Sequence, residues 1–385
     1  MATGRAVRIG TGGVVAAAVL TAASFAPPAT AGTDPGHPQT RAAMNAAVKD
    51  GVPGVAGQVK DGYSVWMGTS GVGDRRTGEP RSAVDRYRIG SMTKTFVATV
   101  LLQLESEGRL DLDDKVDTWL PGVVRGNGND GRRITVRQLL NHTSGIPSYT
   151  ADPEFLENGF TEKFLEHRYD TYTPEQLVAI AMRHEPLFEP GAAWSYSNTN
   201  YTLAGLIIAK VSGRSYEDEI KRRIIQPLGL YATSVPRTAS SLPEPGSRAY
   251  SKLSLAPKPT DPVHDVTELN PSAAGSAGAM ISDSGDLNRF YSALLGGKLL
   301  PAAQLKEMKT TVPVSGAGLI TGYGLGLMKF EPSCGTSLWG HGGNIQGSAS
   351  QAVTSSDGKH AFAFNFNGDW AGNSQAVIEA EYCPK

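Results

Sequence analysis

A chain of 385 residues, 40% of them hydrophobic and 19% charged, can bury one large two-part core or two ordinary ones. Its 36 basic and 37 acidic residues leave a formal charge of −1, which supplies no field for nucleic acid or for an anionic membrane surface. The expected partner is therefore a small-molecule or peptide substrate, met by a monomer.

In chain order, Arg5 and Arg8 precede an apolar run from Val14 to Phe25 and then Ala29-Thr30-Ala31. This predicts a signal peptide over residues 1–31, removed after Ala31 to release a secreted, extracellular product. The mature chain would carry 34 basic against 37 acidic residues, a charge of −3. The apolar run is too short for a permanent span, and no later segment reaches that length, so no stable membrane span is expected. Arg41–Lys49 reads as a helix, followed by strands over Gly54–Val59 and Tyr63–Met67. From Ser91 onward Phe96, Val97, Val100, Leu101 and Leu104 recur at helical spacing up to Gly108.

Thr135 caps a short helix, Asn200–Val211 forms an apolar one stopped by Gly213, and Tyr216–Ile225 a third. Residues 236–271 are rich in Pro and Ser without a period. Strands are expected over Gly322–Leu327, Ser337–Gly340, Gly347–Thr354 and His360–Asn367, and a last helix over Ser374–Tyr382. The pattern predicts an α+β fold, with an antiparallel sheet flanked by helices and an all-helical insertion. One domain would span 32–385, its α/β part about 40–110 and 280–385 and its helical part about 111–279. Cys334 and Cys383 are the only cysteines. In a secreted chain they read as a disulfide, the alternative being two buried thiols.

Ser91-Met92-Thr93-Lys94 puts a hydroxyl and an amine one helical turn apart, so that the lysine can help take the serine's proton. Spacing alone decides nothing, because Ser356-Asp357-Gly358-Lys359 repeats it in what reads as a hairpin turn. Two further motifs follow the first copy, Tyr196-Ser197-Asn198 and His341-Gly342-Gly343. With their flanks, Arg88-Ile89-Gly90, Gln138 to Ile146 and Glu189-Pro190-Gly191, they closely resemble the penicillin-recognising serine hydrolases. The branch is the one holding class C β-lactamases, secreted D-alanyl-D-alanine carboxypeptidases, D-aminopeptidases and related esterases. The resemblance spans roughly residues 35 to 385 and implies the β-lactamase/DD-peptidase fold.

It also implies roles. Ser91 would be the nucleophile of an acyl-enzyme, Lys94 of lowered pKa its base, and Tyr196 the phenol serving the leaving group. Asn198 would hold Lys94 and the acyl side. His341, Gly342, Gly343 and Asn344 would line the substrate strand, with the N–H groups of Ser91 and Asn344 as oxyanion hole. His142 reads as framework. His37, His167, His184, His264 and His360 lack ligand spacing, so no metal and no cofactor is expected. The chain has no G-x-S-x-G elbow, and Gly322-Tyr323-Gly324-Leu325-Gly326 lacks the third glycine of a dinucleotide fingerprint.

The first expectation is a D-alanyl-D-alanine carboxypeptidase. Where that group carries a carboxylate-binding arginine and hydroxyl side chains, however, this chain has Met328, Gly342 and Asn344. An esterase, D-aminopeptidase or transacylase needing no free substrate carboxylate is the alternative. A penicillin-binding protein that acylates without turnover is the second.

Overall fold

The computed structural model describes Met1 and residues 36–384; the predicted signal peptide, Met1 excepted, lies outside the described residues. Eight strands build one antiparallel sheet: β1 (Gly54–Asp61), β2 (Ser64–Gly71), β3 (Val312–Ala317), β4 (Ile320–Tyr323), β5 (Met328–Phe330), β6 (Leu338–Ile345), β7 (Ser348–Ser355) and β8 (His360–Phe366). Their spatial order is β2-β1-β8-β7-β6-β5-β4-β3, so the first and last strands lie side by side. The principal helices are α1 (Pro38–Lys49), α2 (Thr93–Ser106), α3 (Asn198–Ser212), α4 (Ser284–Leu295) and α5 (Ser374–Tyr382).

Strand β8 shows why the sheet is covered twice. Phe362, Phe364 and Phe366 point to one face, where they join Met44 and Ala47 of α1 and Val377 and Ile378 of α5. The small Ala361 and Ala363 occupy the alternate positions, and α4 packs close against that face. A strand buried on both sides is apolar nearly throughout, as this one is. The chain leaves the sheet after β2 and returns at β3, and α2, α3 and α4 belong to that excursion. Helix α2 is buried at every residue from Thr93 to Leu102, and its Phe96 ring stacks on Phe290 at 3.7 Å. A helix buried on every side along this stretch belongs in the interior.

Several expectations move. The strand predicted over Gly322–Leu327 ends at Tyr323. A Cβ on Gly324 would stand 2.1 Å from the Met308 carbonyl, and Gly326 turns at φ +69°, so the chain bends before β5 begins at Met328. Strand β3 was not anticipated, and β6 runs five residues past Gly340, carrying His341-Gly342-Gly343 inside it. Helix α2 starts at Thr93 after a 3₁₀ turn over Gly90–Met92, which puts Ser91 on the turn. The long segment 236–271 is irregular apart from a two-residue ladder between Tyr250–Ser251 and His264–Asp265. The buried Arg88 ties it down, donating to the carbonyls of Ser240 (2.5 Å) and Leu269 (3.2 Å). Cys334 and Cys383 are joined as a disulfide, with Cα atoms 5.6 Å apart.

Candidate active site

Gly90 and Gly343 let two elements meet closely. Gly90 has φ +49°, and a Cβ there would lie 2.9 Å from the Asn344 nitrogen. A Cβ on Gly343 would fall 1.9 Å from the Ile89 carbonyl and 3.3 Å from the Ser91 nitrogen. Only glycine fits either position. The backbone nitrogens of Ser91 and Asn344 consequently flank one small space, the arrangement an oxyanion requires.

Lys94 is fully buried, and no carboxylate of the described residues offsets a charge there. Its Nζ lies 3.0 Å from Ser91 Oγ, 2.8 Å from Asn198 Oδ1 and 2.6 Å from the Ala277 carbonyl. Burial pushes its pKa well below the ordinary lysine value. A neutral amine has two N–H donors and one lone pair. The two carbonyl oxygens take the donors, which turns the lone pair to the Ser91 hydroxyl. The arrangement can thus accept the serine proton.

Tyr196 lies across the lysine, with Nζ 4.9 Å from its ring centroid. Burial raises the phenol above its usual value, and the neighbouring Ser91 hydroxyl works the other way. Its oxygen forms no hydrogen bond of ordinary length and is free to serve a substrate atom. The His142 ring packs 4.3 Å from the Tyr196 ring and accepts at Nδ1 from Ser197 N–H and the Asn200 amide, both 3.2 Å away. Desolvation first, then the Lys94 charge, holds His142 well below the usual histidine range.

His341 is also fully buried. Its Nδ1 donates to the Gly342 carbonyl at 2.6 Å and its Nε2 accepts from Tyr323 Oη at 2.9 Å, a pairing that assigns the neutral tautomer. Burial, then Lys94, pushes its pKa down to about 3. With both nitrogens occupied, His341 braces β6 and offers no base to a substrate.

Alternation along β6 turns His341 and Gly343 toward Ser91, and Gly340, Gly342 and Asn344 to the other face. Met328 stands opposite Gly340 and packs with the cluster of Phe330 and Leu338. Lys329, opposite Trp339, is bonded to Glu331 at 2.5 Å. The Gln351 side chain stands 2.9 Å from where a Gly342 Cβ would be. The cleft in front of Ser91 is lined by Tyr149, Phe155, Phe160, Asn198, Leu269 and Ile345 among others, and no Asp, Glu, Lys, Arg or His of the described residues lines it. Sequence reasoning had not found Ala277, Tyr323 or these apolar residues, which come from six separate segments and share no motif. The second Ser-x-x-Lys forms the β7–β8 turn, its Lys359 paired with Asp357 at 3.2 Å.

The sheet, its helices and this site define a serine hydrolase of the β-lactamase/DD-peptidase fold. A β-lactamase family profile matches residues 40–377, and the chain belongs to that family. It is 30% identical over 276 residues to a putative penicillin-binding protein, PbpX, of Bacillus subtilis, covering 72% of this chain and 62% of that protein. The chain thus spans under two thirds of that relative's length. A crystal structure of a D-stereospecific amidohydrolase from Streptomyces sp. is similar at 61% identity and TM-score 0.86, covering 91% of this chain and 99% of that one. D-amino acid amidase of Ochrobactrum anthropi is similar at 30% identity and TM-score 0.76, over 89% and 96% of the two chains. Among the described residues no helix is long and apolar enough to cross a membrane.

Proposed function

We propose that this chain is a D-stereospecific amidohydrolase of secreted type, cleaving D-aminoacyl amides and esters through a Ser91 acyl-enzyme. This falls under the esterase, D-aminopeptidase or transacylase alternative, which needs no free substrate carboxylate, and not under the carboxypeptidase expectation. One observation carries it: among the described residues, neither Met328 nor Lys329 offers a free cation to a substrate carboxylate. Met328 packs against the cluster of Phe330 and Leu338, and Lys329 is held by Glu331. A buried carboxylate without a cation or several donors is strongly disfavoured. A neutral amide or ester meets no such cost, and the apolar wall of Tyr149, Phe155, Phe160 and Leu269 suits an apolar acyl side chain. The D preference rests on the likeness to the Streptomyces and Ochrobactrum enzymes.

In this reaction the Ser91 oxygen attacks the carbonyl carbon as its proton passes to neutral Lys94. The N–H groups of Ser91 and Asn344 hold the negative oxygen of the tetrahedral intermediate. The C–N bond then breaks, the nitrogen takes a proton through the Tyr196 phenol, and the amine leaves. Water repeats the sequence on the acyl-enzyme, losing its proton along the same path and freeing the D-acid and Ser91. Asn198 and Ala277 keep Lys94 oriented throughout.

The test uses D-phenylalanine amide, its L enantiomer, D-phenylalanine methyl ester and a diacyl-D-Ala-D-Ala peptide, with Ser91→Ala as control. Turnover of the D-amide and D-ester well above the peptide is expected, with loss of at least about 10⁴-fold in the alanine variant. Preference for the peptide, or an active Ser91→Ala enzyme, would overturn the assignment.

A further inference from the structure

The cleft at Ser91 does not end at its apolar wall. A second cavity shares Phe160, Asn344, Ile345 and Gln346 with it and continues to Lys252, Asp369 and Trp370. Tyr196 lies near the His341 end of β6, the rings 6.4 Å apart, so the leaving group departs toward that end. The second cavity opens past the other end, at Ile345 and Gln346, and therefore on the acyl side. From Asn344 to Gln346 the strand advances roughly 7 Å, the span of two extended residues.

Lys252 is only 7% exposed. Its Nζ donates to the Lys258 carbonyl and stands 5.9 Å from the centroid of the Trp370 ring. One carbonyl and one aromatic face leave donor capacity on an ammonium that has three N–H groups. The next residue, Leu253, is held at φ +48°, an unusual backbone for a leucine, and is itself buried. That bend lies directly after Lys252 and persists only because its surroundings enforce it. Across the cavity, Asp369 accepts from the Gly347 N–H at 2.8 Å. One cation and one acid give the cavity no net charge, which favours a dipolar neutral group over an anion.

Resting on the reading above, we propose that this cavity is an acyl-side subsite for a second residue. The Lys252 ammonium holds the carbonyl oxygen of a peptide bond there, and Trp370 covers the attached side chain. The chain would then accept N-acyl-dipeptidyl donors as well as single D-aminoacyl ones.

Two p-nitroanilides with the same leaving group test it, D-phenylalanyl and acetyl-D-alanyl-D-phenylalanyl. Lys252→Met keeps the unbranched stem, one atom shorter, and removes the donors. It should lower kcat/KM on the dipeptidyl donor about tenfold or more, the worth of one hydrogen bond to a charged group, and leave the single-residue donor within about twofold. Trp370→Ala should act selectively in the same direction. The single-residue donor reports in each variant whether the fold and the Ser91 centre are intact. Equal effects on both donors, or none on either, overturn the subsite while leaving the amidohydrolase reading in place. A wild-type enzyme that cleaves neither anilide overturns both.

Discussion

Lys94 shows how the surroundings of a single side chain decide the role proposed for it. Its three contacts would suit an ammonium equally well, but burial without a carboxylate favours the amine, and the two carbonyls then fix where the lone pair goes. Activity should accordingly rise as pH climbs through the depressed Lys94 pKa, because the amine is the competent form. Lys94→Arg keeps a charge that never dissociates and should lose about 10³-fold or more at every pH. A pH–rate profile of kcat/KM that falls across that range, or an arginine variant with residual pH-dependent activity, would contradict the role. Tyr196 allows a different separation. Its hydroxyl is buried and forms no hydrogen bond of ordinary length, so the fold gains little from it. Tyr196→Phe should cost about 10²- to 10³-fold in kcat while leaving the urea midpoint unchanged or slightly raised. A variant that is instead markedly less stable would mean that the phenol serves the core.

Between elements, the site depends on the closeness of the 3₁₀ turn at Gly90–Met92 to strand β6. Gly343→Ala would drive a methyl group into the Ile89 carbonyl and part the two N–H groups that flank the nucleophile. Loss of about 10²-fold or more in kcat is expected, with acylation slowed in single-turnover experiments. An alanine variant of near-normal acylation rate would show that β6 can shift without disturbing the site. Gly90 and Gly343 could be read in the sequence as small residues beside motifs, yet nothing in it told that they face one another. What was legible was periodic or capped: the apolar face of α2, the Gly213 stop of α3 (φ +72°) and the Thr135–Gln138 capping box. The limits of β4 and β5 were not, because they are set by the Met308 carbonyl pressing on Gly324, a contact between segments distant in the chain. The same holds within the site. Ser91, Lys94 and Asn198 stand in motifs, whereas the Ala277 carbonyl that completes the grip on Lys94 is a backbone atom with no signature at all.

At the scale of the molecule, the excursion between β2 and β3 brings Ser91, Lys94, Tyr196 and Asn198 against a sheet that supplies His341 to Asn344. The two ends of the chain are tied together within that sheet, since β1 pairs with β8 and α1 bonds α5 through Thr40 and Glu381 at 2.7 Å. Bringing these parts together buries two neutral histidines, His142 and His341, beside Tyr196, and that links folding to pH. Both have folded pKa values below the ordinary 6.5, so the unfolded chain binds the extra protons. Their contribution is whole above about pH 6.5 and is lost as pH falls, continuing for His341 down to about 3. Near pH 5 His341 should add about one proton to the uptake on unfolding, or about 1.4 kcal/mol of stability per pH unit, and His142 works in the same direction. His341→Asn removes one of the two, and the loss of its Tyr323 partner lowers stability at all pH values without changing the slope. Urea unfolding between about pH 4.5 and 5.5 should therefore give a pH dependence shallower by about 1.4 kcal/mol per unit in the variant than in the parent. Parallel slopes would mean that His341 is protonated in the folded protein, in which case it could not accept from Tyr323 and the bracing of β6 would need another explanation.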